Sequence, residues 1–288
     1  MDSDRVRPWL LRLTETLPVG ESVRFLLTGD WHLDSTGCDQ RLLLNHLEEA
    51  SRRGAKIIIG GDLFDAMQGR YDRRRDEEAV RPELRTRSYY DSVVEYGYET
   101  LKSYVHLIAG LFLGNHESAV EKHANTDLRE RFASMAWSRD RVRIPVMGYR
   151  GFVDFSLRYD KSPPGHGTAQ KRLFIIHGSG GSAPVTRGAI KTNRRAVVLP
   201  DADIVGSGHI HQSLLMPIKR LSVDREGHLV TPEQLHLQWG TYKLDQGTEG
   251  WEVEKEFAPP TGDGWWLTFT QTARRQWRVD AERCHGVY

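Results

Sequence analysis

Apolar residues in the first sixty positions form two short runs separated by a helical pattern. Residues 23–28 and 56–59 are apolar and end at glycine, which predicts two buried strands. Asp39 has the position of an N-cap for a helix that continues to Arg53 and is closed by Gly54. The helix carries apolar residues at helical spacing: Leu43, Leu44, Leu47 and Ala50. This strand–helix–strand order predicts a parallel pair of strands joined by a right-handed crossover.

Further helices are predicted before residue 140, and strands after it. We expect helices over residues 1–20, 87–105 and 118–137, and a strand that ends at Leu113. The first helix is interpreted as a short amphipathic extension, ended by Pro18 and Gly20, with its apolar face formed by Trp9, Leu10, Leu11 and Leu13. After Pro145, short alternating runs predict strands at residues 152–157, 173–176, 204–205 and 214–218.

The last third of the chain, residues 212–288, has the composition of strands and turns. Five of the eight tryptophans lie here: Trp239, Trp251, Trp265, Trp266 and Trp277. They suit either stacking on nucleic-acid bases or a core, and alternating aromatics favour the core. Taken together, the elements indicate an α/β fold in one domain over residues 1–288, with two sheets packed face to face and helices outside.

Residues 66–87 interrupt this pattern with a highly charged, apolar-poor segment, which predicts a long exposed insertion. It contains seven arginines, at positions 70, 73, 74, 75, 81, 85 and 87, among five acidic residues. Arg73 and Arg74 are candidates to guide a nucleic-acid backbone, since phosphate contacts use arginine and lysine. Mixed charge runs are also typical of solvated loops, so both interpretations stay open.

Bulk composition limits the classes of function. The chain has 288 residues, a formal charge of +1, 39% hydrophobic and 27% charged residues, which is typical of a folded globular protein. Near-neutral charge excludes binding to polyanions by bulk attraction. Two cysteines exclude a disulfide framework and a cysteine-based zinc site. The N-terminus lacks an apolar signal core, and the longest apolar stretch is too short to span a bilayer, so we expect a cytoplasmic protein without a membrane partner.

Five polar motifs, each flanked by glycine, follow the predicted strands. They are Gly29-Asp30-Trp31-His32, Gly60-Gly61-Asp62-Leu63-Phe64-Asp65, Gly114-Asn115-His116-Glu117, His177-Gly178 and Gly208-His209-Ile210-His211. Ligands in such sheets bind at the carboxyl ends of strands. Carboxylate, imidazole and amide oxygen suit divalent metal ions. On an extended segment, two residues separated by one other residue point to the same side. Both polar residues of Asp-x-His, and both of His-x-His, can therefore face one metal centre.

This ordered set resembles the calcineurin-like metallophosphoesterase superfamily, over Asp30 to His211. The resemblance implies a four-layer α/β/β/α sandwich of two mixed sheets, with a dinuclear metal site at the sheet edge. It implies that one ion is bound by Asp30, His32 and His211, and the other by Asn115, His177 and His209, with Asp62 bridging. Manganese is expected by resemblance, while such ligands also permit iron, zinc, nickel, cobalt or magnesium.

The resemblance also implies a mechanism. Two divalent ions convert a shared water into hydroxide, which attacks phosphorus in line with the leaving oxygen. His116, outside the ligand set, is implied to donate a proton to the leaving group. Glu117 is interpreted either as orienting His116 or as a plain helix-start carboxylate.

Several further residues are candidates for substrate contact or for support of the ligands. Asp65 closes the second motif. Arg187 belongs to a second basic patch after His177, with Lys191, Arg194 and Arg195. Tyr242 and Lys243 follow a predicted strand and are expected at the cleft edge.

The substrate is less constrained than the chemistry. The Gly-Asp-Leu-Phe-Asp form of the second motif resembles the DNA-repair exonuclease branch, although only 77 residues follow His211 (288 − 211). The third motif is shared with protein Ser/Thr phosphatases, but Ala66-Met67 stand where those have Arg-Gly. The second motif also resembles that of a lipid A pathway hydrolase, but nothing in the sequence suggests a membrane-facing apolar helix pair. The overall layout resembles metallophosphoesterases of phage and prophage genomes.

The sequence therefore predicts a hydrolase of phosphodiester bonds, acting on DNA, RNA or nucleotides. A phosphomonoesterase or protein phosphatase is the alternative within the enzyme class. A non-catalytic interaction module on the same fold is the alternative outside it, and the intact metal and proton-donor residues favour the enzyme.

Overall fold

A computed structural model describes residues 2–66, 78–160, 168–181, 186, 188–224, 226–244, 259–273 and 276–284. The helices in these ranges are α1 (Gln40–Arg52), α2 (Tyr89–Leu101), α3 (Asn115–Ala124), α4 (Leu128–Asp140) and α5 (Ala189–Val198). The strands are β1 (Asp2–Arg7), β2 (Leu10–Leu17), β3 (Ser22–Thr28), β4 (Lys56–Ile59), β5 (Ile108–Leu111), β6 (Arg150–Tyr159), β7 (Thr168–Ile176), β8 (Ile204–Ser207), β9 (Leu214–Lys219), β10 (Ser222–Val223), β11 (Leu229–Val230), β12 (Glu233–Gln238), β13 (Gly264–Ala273) and β14 (Gln276–Cys284).

Two mixed sheets form the centre of the described fold. One has the strand order β1-β2-β6-β7-β8-β12-β9 and the other the order β14-β13-β3-β4-β5. In the second sheet β3, β4 and β5 run parallel, and in the first β7, β8 and β12 run parallel. The predicted strand–helix–strand unit at the start of this arrangement is confirmed, with Asp39 accepting a hydrogen bond from the N–H of Leu42 as the N-cap of α1.

Alternation along the buried strands separates two cores. Phe25 and Leu27 of β3 face the other sheet, in a cluster with Ile58 of β4. Leu26 and Ile57 point the opposite way, into a cluster with side chains of α1, α2 and α4. Successive strand residues face opposite sides of a sheet, so both faces of β3 and β4 are covered. In a small third cluster on the outer face of the first sheet, Leu199 and Ala202, just after α5, pack with Phe174 and Val205, and α5 itself contacts β9. The predicted α/β/β/α layering is confirmed.

The predicted N-terminal helix over residues 1–20 is wrong, because this region forms the antiparallel hairpin of β1 and β2. Leu11 and Leu13 are buried, with exposed Arg12 between them. The four apolar residues at positions 9, 10, 11 and 13 fit a helical face and a strand equally well. Parallel pairing of β2 with β6, far along the chain, stabilises the strand.

The predicted helix over residues 118–137 is two helices. Asn125, in the left-handed conformation with φ 52°, ends α3, and the Asp127 side chain caps α4 by accepting from the N–H groups of Arg129 and Glu130. The first of these helices starts earlier than predicted, at Asn115, so that Asn115 and His116 lie in its first turn.

The end of the charged insertion is not a freely exposed loop. Val80 and Leu84 are buried, and Val80 pairs with Ser35 in an isolated β-bridge. Arg81 donates hydrogen bonds to the main-chain oxygens of Leu33 and Cys38. The arginines at positions 70, 73, 74 and 75 lie outside the described residues.

Candidate metal centre

Strand ends from both sheets meet at one edge of the sandwich. The loops after β3, β4 and β5 carry Asp30, Asp62 and Asn115, and those after β7 and β8 carry His177 and His209. The carboxyl ends of parallel strands collect at one rim, as the sequence predicted. All five side chains are brought together by this geometry, together with those of His32, His116 and His211.

The first ligand group consists of Asp30, His32 and His211, whose ligand atoms lie within 4.8 Å of one another. Nε2 of His211 lies 3.4 Å from Nε2 of His32 and 3.4 Å from Oδ1 of Asp30. Asp30 and His32 are buried, and His211 is partly exposed toward the cleft. One carboxylate and two imidazoles form a donor set suited to a divalent ion.

The second ligand group surrounds the side chain of Asn115. Its Oδ1 lies 2.9 Å from Nε2 of His177 and 2.7 Å from Nδ1 of His209. Asp62, His177 and His209 also bring their ligand atoms within 4.8 Å of one another. This is the second set that the resemblance implied.

Asp62 lies between the two groups. Its Oδ2 is 3.0 Å from Nε2 of His177 in the second group and 4.0 Å from Nε2 of His32 in the first. Asp62 is buried, and its Oδ1 accepts a hydrogen bond from the N–H of His116. The position between both sets is what a bridging carboxylate requires.

The backbone is held in a sparsely populated conformation at the site. Five of the predicted ligands have positive φ: Asp30 (51°), His32 (47°), Asp62 (50°), His209 (75°) and His211 (56°). Residues other than glycine adopt this left-handed region infrequently, and such strain persists where the surrounding structure imposes it, often at functional sites. The backbone therefore places these five side chains at a conformational cost.

Oxygen atoms close to Nδ1 orient two of the candidate imidazole ligands. Nδ1 of His177 lies 3.1 Å from the main-chain oxygen of Gly60, which leaves Nε2 for the ligand group. Nδ1 of His32 lies 2.8 Å from Oδ1 of Asp65. Metal-binding histidines usually donate their second N–H in this way, which sets the tautomer and the ring orientation.

The electrostatics of the site fit a cation. Burial alone would raise the pKa of Asp62, yet His177 and His116 hold it well below its usual range. Burial opposes a charge on His177 too, but Asp62 and Asp30 raise its pKa to about 10. A buried positive charge is thus favoured where Asp62, His177 and Asn115 meet.

Two further imidazoles of the ligand groups, buried His32 and half-buried His209, are held neutral. Burial lowers the pKa of His32 to about 4. Burial, with the nearby His177, lowers the pKa of His209 to about 4. Neutral imidazole is the form that binds a metal ion, so these residues and the buried carboxylates fit a pair of divalent cations.

His116 lies beside Asp62 but outside the two ligand groups defined above. Its Nδ1 lies 2.6 Å from the main-chain oxygen of Asp65 and 3.4 Å from the Asp65 carboxylate. Its Nε2 lies 4.0 Å from Oδ2 of Asp62, and 14% of the side chain is exposed. A carbonyl at Nδ1 places an N–H there and directs Nε2 toward the metal groups.

Glu117 supports the loops of the site. It is completely buried, and its carboxylate accepts hydrogen bonds from the N–H groups of Gly114, Asp62 and Phe64. Burial and the charge of Asp62 raise its pKa to about 8. Glu117 thus joins the loops after β4 and β5, whereas Asp65 contacts His116.

Asp34 and Lys243 are two supports that motif reasoning missed or left unspecified. Buried Asp34 accepts hydrogen bonds from the N–H groups of Asp65 (2.6 Å) and Ala66 (2.9 Å), which anchors the turn that carries Asp65. Nζ of Lys243 lies 3.2 Å from the Asp65 carboxylate. The Asp-x-His-x-Asp spacing in residues 30–34 is the sequence signal that singles out Asp34.

Other predicted positions differ from the structure or lie beyond it. Tyr242 is completely buried below the site, where its OH contacts His46 and Thr28, so its expected place at the cleft edge is wrong. The core interpretation is confirmed for Trp239, Trp265 and Trp266, which are all buried. Outside the described residues lie Arg73, Arg74, Arg187 and Trp251.

A comparison with protein families identifies the group to which the chain belongs. The calcineurin-like phosphoesterase family matches residues 23–213, which contain both ligand groups and His116. The chain belongs to the calcineurin-like phosphoesterase family. The phosphoesterase is therefore a metal-dependent hydrolase of phosphoesters, with the α/β fold of its family.

Solved structures similar to this phosphoesterase share little sequence with it. One is a conserved uncharacterized protein, a predicted phosphoesterase, from Streptococcus pneumoniae (12% identity, TM-score 0.31, 91% of this chain and 89% of that chain). Another is GAP50, the anchor in the inner membrane complex of Plasmodium (13% identity, TM-score 0.45, 93% of this chain and 87% of that chain). A third is protein TM1076 of Thermotoga maritima (14% identity, TM-score 0.30, 91% of this chain and 99% of that chain). A comparison with curated proteins gave no match.

Among residues that the structure describes, no helix combines the length and the apolar character needed to cross a bilayer.

Proposed function

We propose that this phosphoesterase hydrolyses phosphodiester bonds in nucleic acids or nucleotides, with two manganese ions in the two ligand groups. The observation that carries the proposal is the place of His116, which lies next to Asp62 with its Nδ1 held by Asp65. A non-catalytic module would have no need of an oriented imidazole beside a complete ligand set.

In this proposal, different residues of the chain hold the ions and transfer the proton. When bound, the divalent ions supply Lewis acidity and lower the pKa of water, which provides hydroxide near neutral pH. Asp30, His32 and His211 would hold one ion, and Asn115, His177 and His209 would hold the other. Oδ2 of Asp62 lies 3.0 Å from Nε2 of His177 and 4.0 Å from Nε2 of His32, so its carboxylate would serve both ions.

His116 serves as the general acid in this proposal. Its Nε2 faces the ligand groups, while Nδ1 donates to the main-chain oxygen of Asp65. A proton on Nε2 is transferred to the leaving oxygen as the bond to phosphorus breaks. The Asp65 carboxylate lies 3.4 Å from Nδ1 of this ring, and the Asp62 carboxylate lies 4.0 Å from its Nε2.

Two features support a nucleic-acid or nucleotide substrate. The second motif, Gly-Asp-Leu-Phe-Asp, resembles that of DNA-repair exonucleases. The arginine-rich insertion, residues 66–87, begins directly after Asp65, and the N–H groups of Asp65 and Ala66 are both anchored at the site by Asp34. Arginines so close in sequence to the ligand groups suit contacts to phosphates on either side of the cleaved bond.

The two cysteines are free in the structure, which supports a place in the reducing cytoplasm.

Hydrolysis of an aryl phosphodiester and of the matching monoester, each with added manganese, tests the reaction. We expect faster hydrolysis of the diester, and loss of activity in His116→Ala and Asp62→Ala. Equal inertness of the wild type and both variants across several metals would contradict catalysis, and preference for the monoester would identify a phosphomonoesterase. Incubation with single-stranded DNA, duplex DNA, RNA and cyclic nucleotides then identifies the substrate class.

A further inference from the structure

A segment outside the residues matched by the family holds Asp30, the first candidate metal ligand, through hydrogen bonds. Residues 239–242 follow β12, after the matched region ends at residue 213. Nε1 of Trp239 donates to Oδ2 of Asp30 at 2.7 Å. Thr241 Oγ1 and the N–H of Tyr242 donate to the main-chain oxygen of Asp30, at 2.7 Å and 3.0 Å. One short segment therefore holds both the side chain and the backbone of a ligand whose φ is 51°.

The indole of Trp239 fills a slot made by glycines of the metal motifs. A Cβ added to Gly60 would lie 2.1 Å from the indole, and one added to Gly208 or Gly29 would lie 2.2 Å or 2.6 Å from it. The trio includes the glycines immediately before Asp30 and His209. Side chains at these positions would exclude the ring, so the close approach requires glycine. Trp239 is completely buried there, which fixes the direction of its N–H.

The two oxygens of Asp30 have different surroundings. Oδ2 accepts from the Trp239 indole, and Oδ1 lies 3.4 Å from Nε2 of His211. The N–H of His209 lies 3.1 Å from each oxygen. An indole N–H is a donor only, so it cannot itself bind a cation. It engages Oδ2 and leaves Oδ1 directed into the ligand group.

We propose that Trp239 is a positioning residue of the metal centre, whose indole N–H holds Asp30 so that Oδ1 is the oxygen offered to a divalent ion beside His32 and His211. This inference rests on the metal centre of the proposed function. Thr241 acts with Trp239, because its hydroxyl holds the backbone of Asp30 in the conformation that aims the carboxylate.

Trp265 provides a matched control within the same chain. It is also a buried tryptophan whose Nε1 donates a hydrogen bond, at 2.8 Å, but to the main-chain oxygen of Gln238 instead of a ligand. Tryptophan to phenylalanine at either position removes one buried indole N–H and similar volume. A purely structural role for Trp239 therefore predicts the same consequences for both substitutions.

The test measures metal binding, not turnover, in the full chain freed of metal. Manganese binding to the wild type, Trp239→Phe and Trp265→Phe is followed by electron paramagnetic resonance, and cobalt binding by visible absorption. Loss of a residue that supports a ligand typically weakens metal affinity about 10–100-fold. In Trp239→Phe we expect metal affinity to fall by this factor at one of the two sites, with an altered cobalt spectrum. In Trp265→Phe we expect wild-type metal affinity.

Equal affinities in the wild type and Trp239→Phe would overturn the proposal, as would equal losses in the two tryptophan variants. If Trp239→Phe does not fold, Thr241→Val and Thr241→Ser decide. We expect weaker manganese binding at one site in Thr241→Val, and wild-type manganese binding in Thr241→Ser, which keeps the hydroxyl. Equal manganese affinities in these two variants would contradict the inference. A wild type that binds no ion would instead overturn the metal centre of the proposed function.

Discussion

The main-chain oxygen of Asp65 lies 2.6 Å from Nδ1 of His116, the proposed general acid. The carboxylate of the same residue lies 2.8 Å from Nδ1 of His32, a ligand of the first group. His32 and His116 also contact each other edge to face, with ring centroids 4.7 Å apart. Asp65 thus contacts a candidate metal ligand and the proposed general acid together.

Substitution of Asp65 by Asn should impair catalysis more than folding. The variant keeps the main-chain contact to His116 but loses the negative charge that faces both imidazoles. Because outer partners of metal ligands are typically worth a factor of about 10–100, we expect kcat on an aryl phosphodiester to fall by that amount. Manganese content measured on the same sample should fall as well, since His32 loses its orienting partner.

Lys243→Met is the control for this substitution. It removes the ion pair to Asp65 and leaves both imidazole contacts in place. We expect a smaller loss of kcat than in Asp65→Asn. An Asp65→Asn enzyme with wild-type kcat and manganese content would contradict the role given to Asp65.

Substitution of Glu117 should reduce stability in proportion to the acceptors removed. Three main-chain N–H groups, from Gly114, Asp62 and Phe64, donate to this buried carboxylate. A buried donor without an acceptor costs about 1–3 kcal/mol, so Glu117→Ala should lower the free energy of unfolding by more than Glu117→Gln, which keeps one oxygen. Urea unfolding measures both, and Glu226→Ala, at an exposed position, should match the wild type.

Metal removal should lower the melting temperature. A ligand present at about 100 times its dissociation constant stabilises the folded state by about 2.7 kcal/mol, which corresponds to about 5–10 °C for a chain of this size. We expect calorimetry to show this rise when manganese is added to chelator-treated protein. Asp62→Asn, which weakens both groups, should respond much less, and an identical response would argue against a bridging Asp62.

The candidate ligands could be predicted from sequence because each belongs to a local signal. Asp30, Asp62 and Asn115 follow apolar strands and glycine, and the parallel strand pairing that unites them is itself encoded by strand–helix–strand order. The motif spacing thus contains most of the site. Local signals also set the bounds of α1 and β4: Asp39 is the N-cap of α1, and β4 ends just before Gly60.

The supports of the site could not be predicted because they depend on distant pairs. Trp239 and Asp30 are 209 positions apart, and no periodicity links an aromatic residue in the C-terminal part to the first motif. Tyr242 was misplaced for a related reason: its OH contacts His46, 196 positions away, so the ring points into the core. The N-terminal hairpin depends on β6, which packs beside β2 only in the folded chain.

Acid should destabilise the fold in part through His236, which lies away from the metal centre. Its side chain is buried, with Nε2 2.8 Å from Oε1 of Gln234, and burial, with Arg195 and Arg220, lowers its pKa to about 4. The unfolded chain binds a proton at this residue below about pH 6.5, while the folded chain does so only near pH 4. Stability therefore falls as the pH is lowered through this window.

The contribution of His236 is isolated by comparison with a variant that does not titrate there. Between pH 7 and pH 4 the free energy of unfolding of the wild type should fall by about 1–3 kcal/mol more than that of His236→Gln. Urea unfolding at several pH values measures the difference. His228→Gln, at an exposed position, should follow the wild type. Parallel pH profiles for wild type and His236→Gln would be inconsistent with a buried neutral His236.

Neutralising Arg73, Arg74 and Arg75 together should weaken DNA binding and reduce its salt dependence. Removal of one phosphate contact lowers the slope of log affinity against log salt by about 0.9 for duplex DNA, so the effect of up to three arginines is visible in one titration. Because the triple substitution also changes the formal charge from +1 to −2 (1 − 3), bulk charge must be matched. Alanine at Arg52, Arg158 and Arg278, all exposed and on other elements, makes the same change in charge. A reduced slope for the first triple alone indicates that the insertion contacts the backbone, whereas equal slopes in both triples and the wild type indicate a solvated loop.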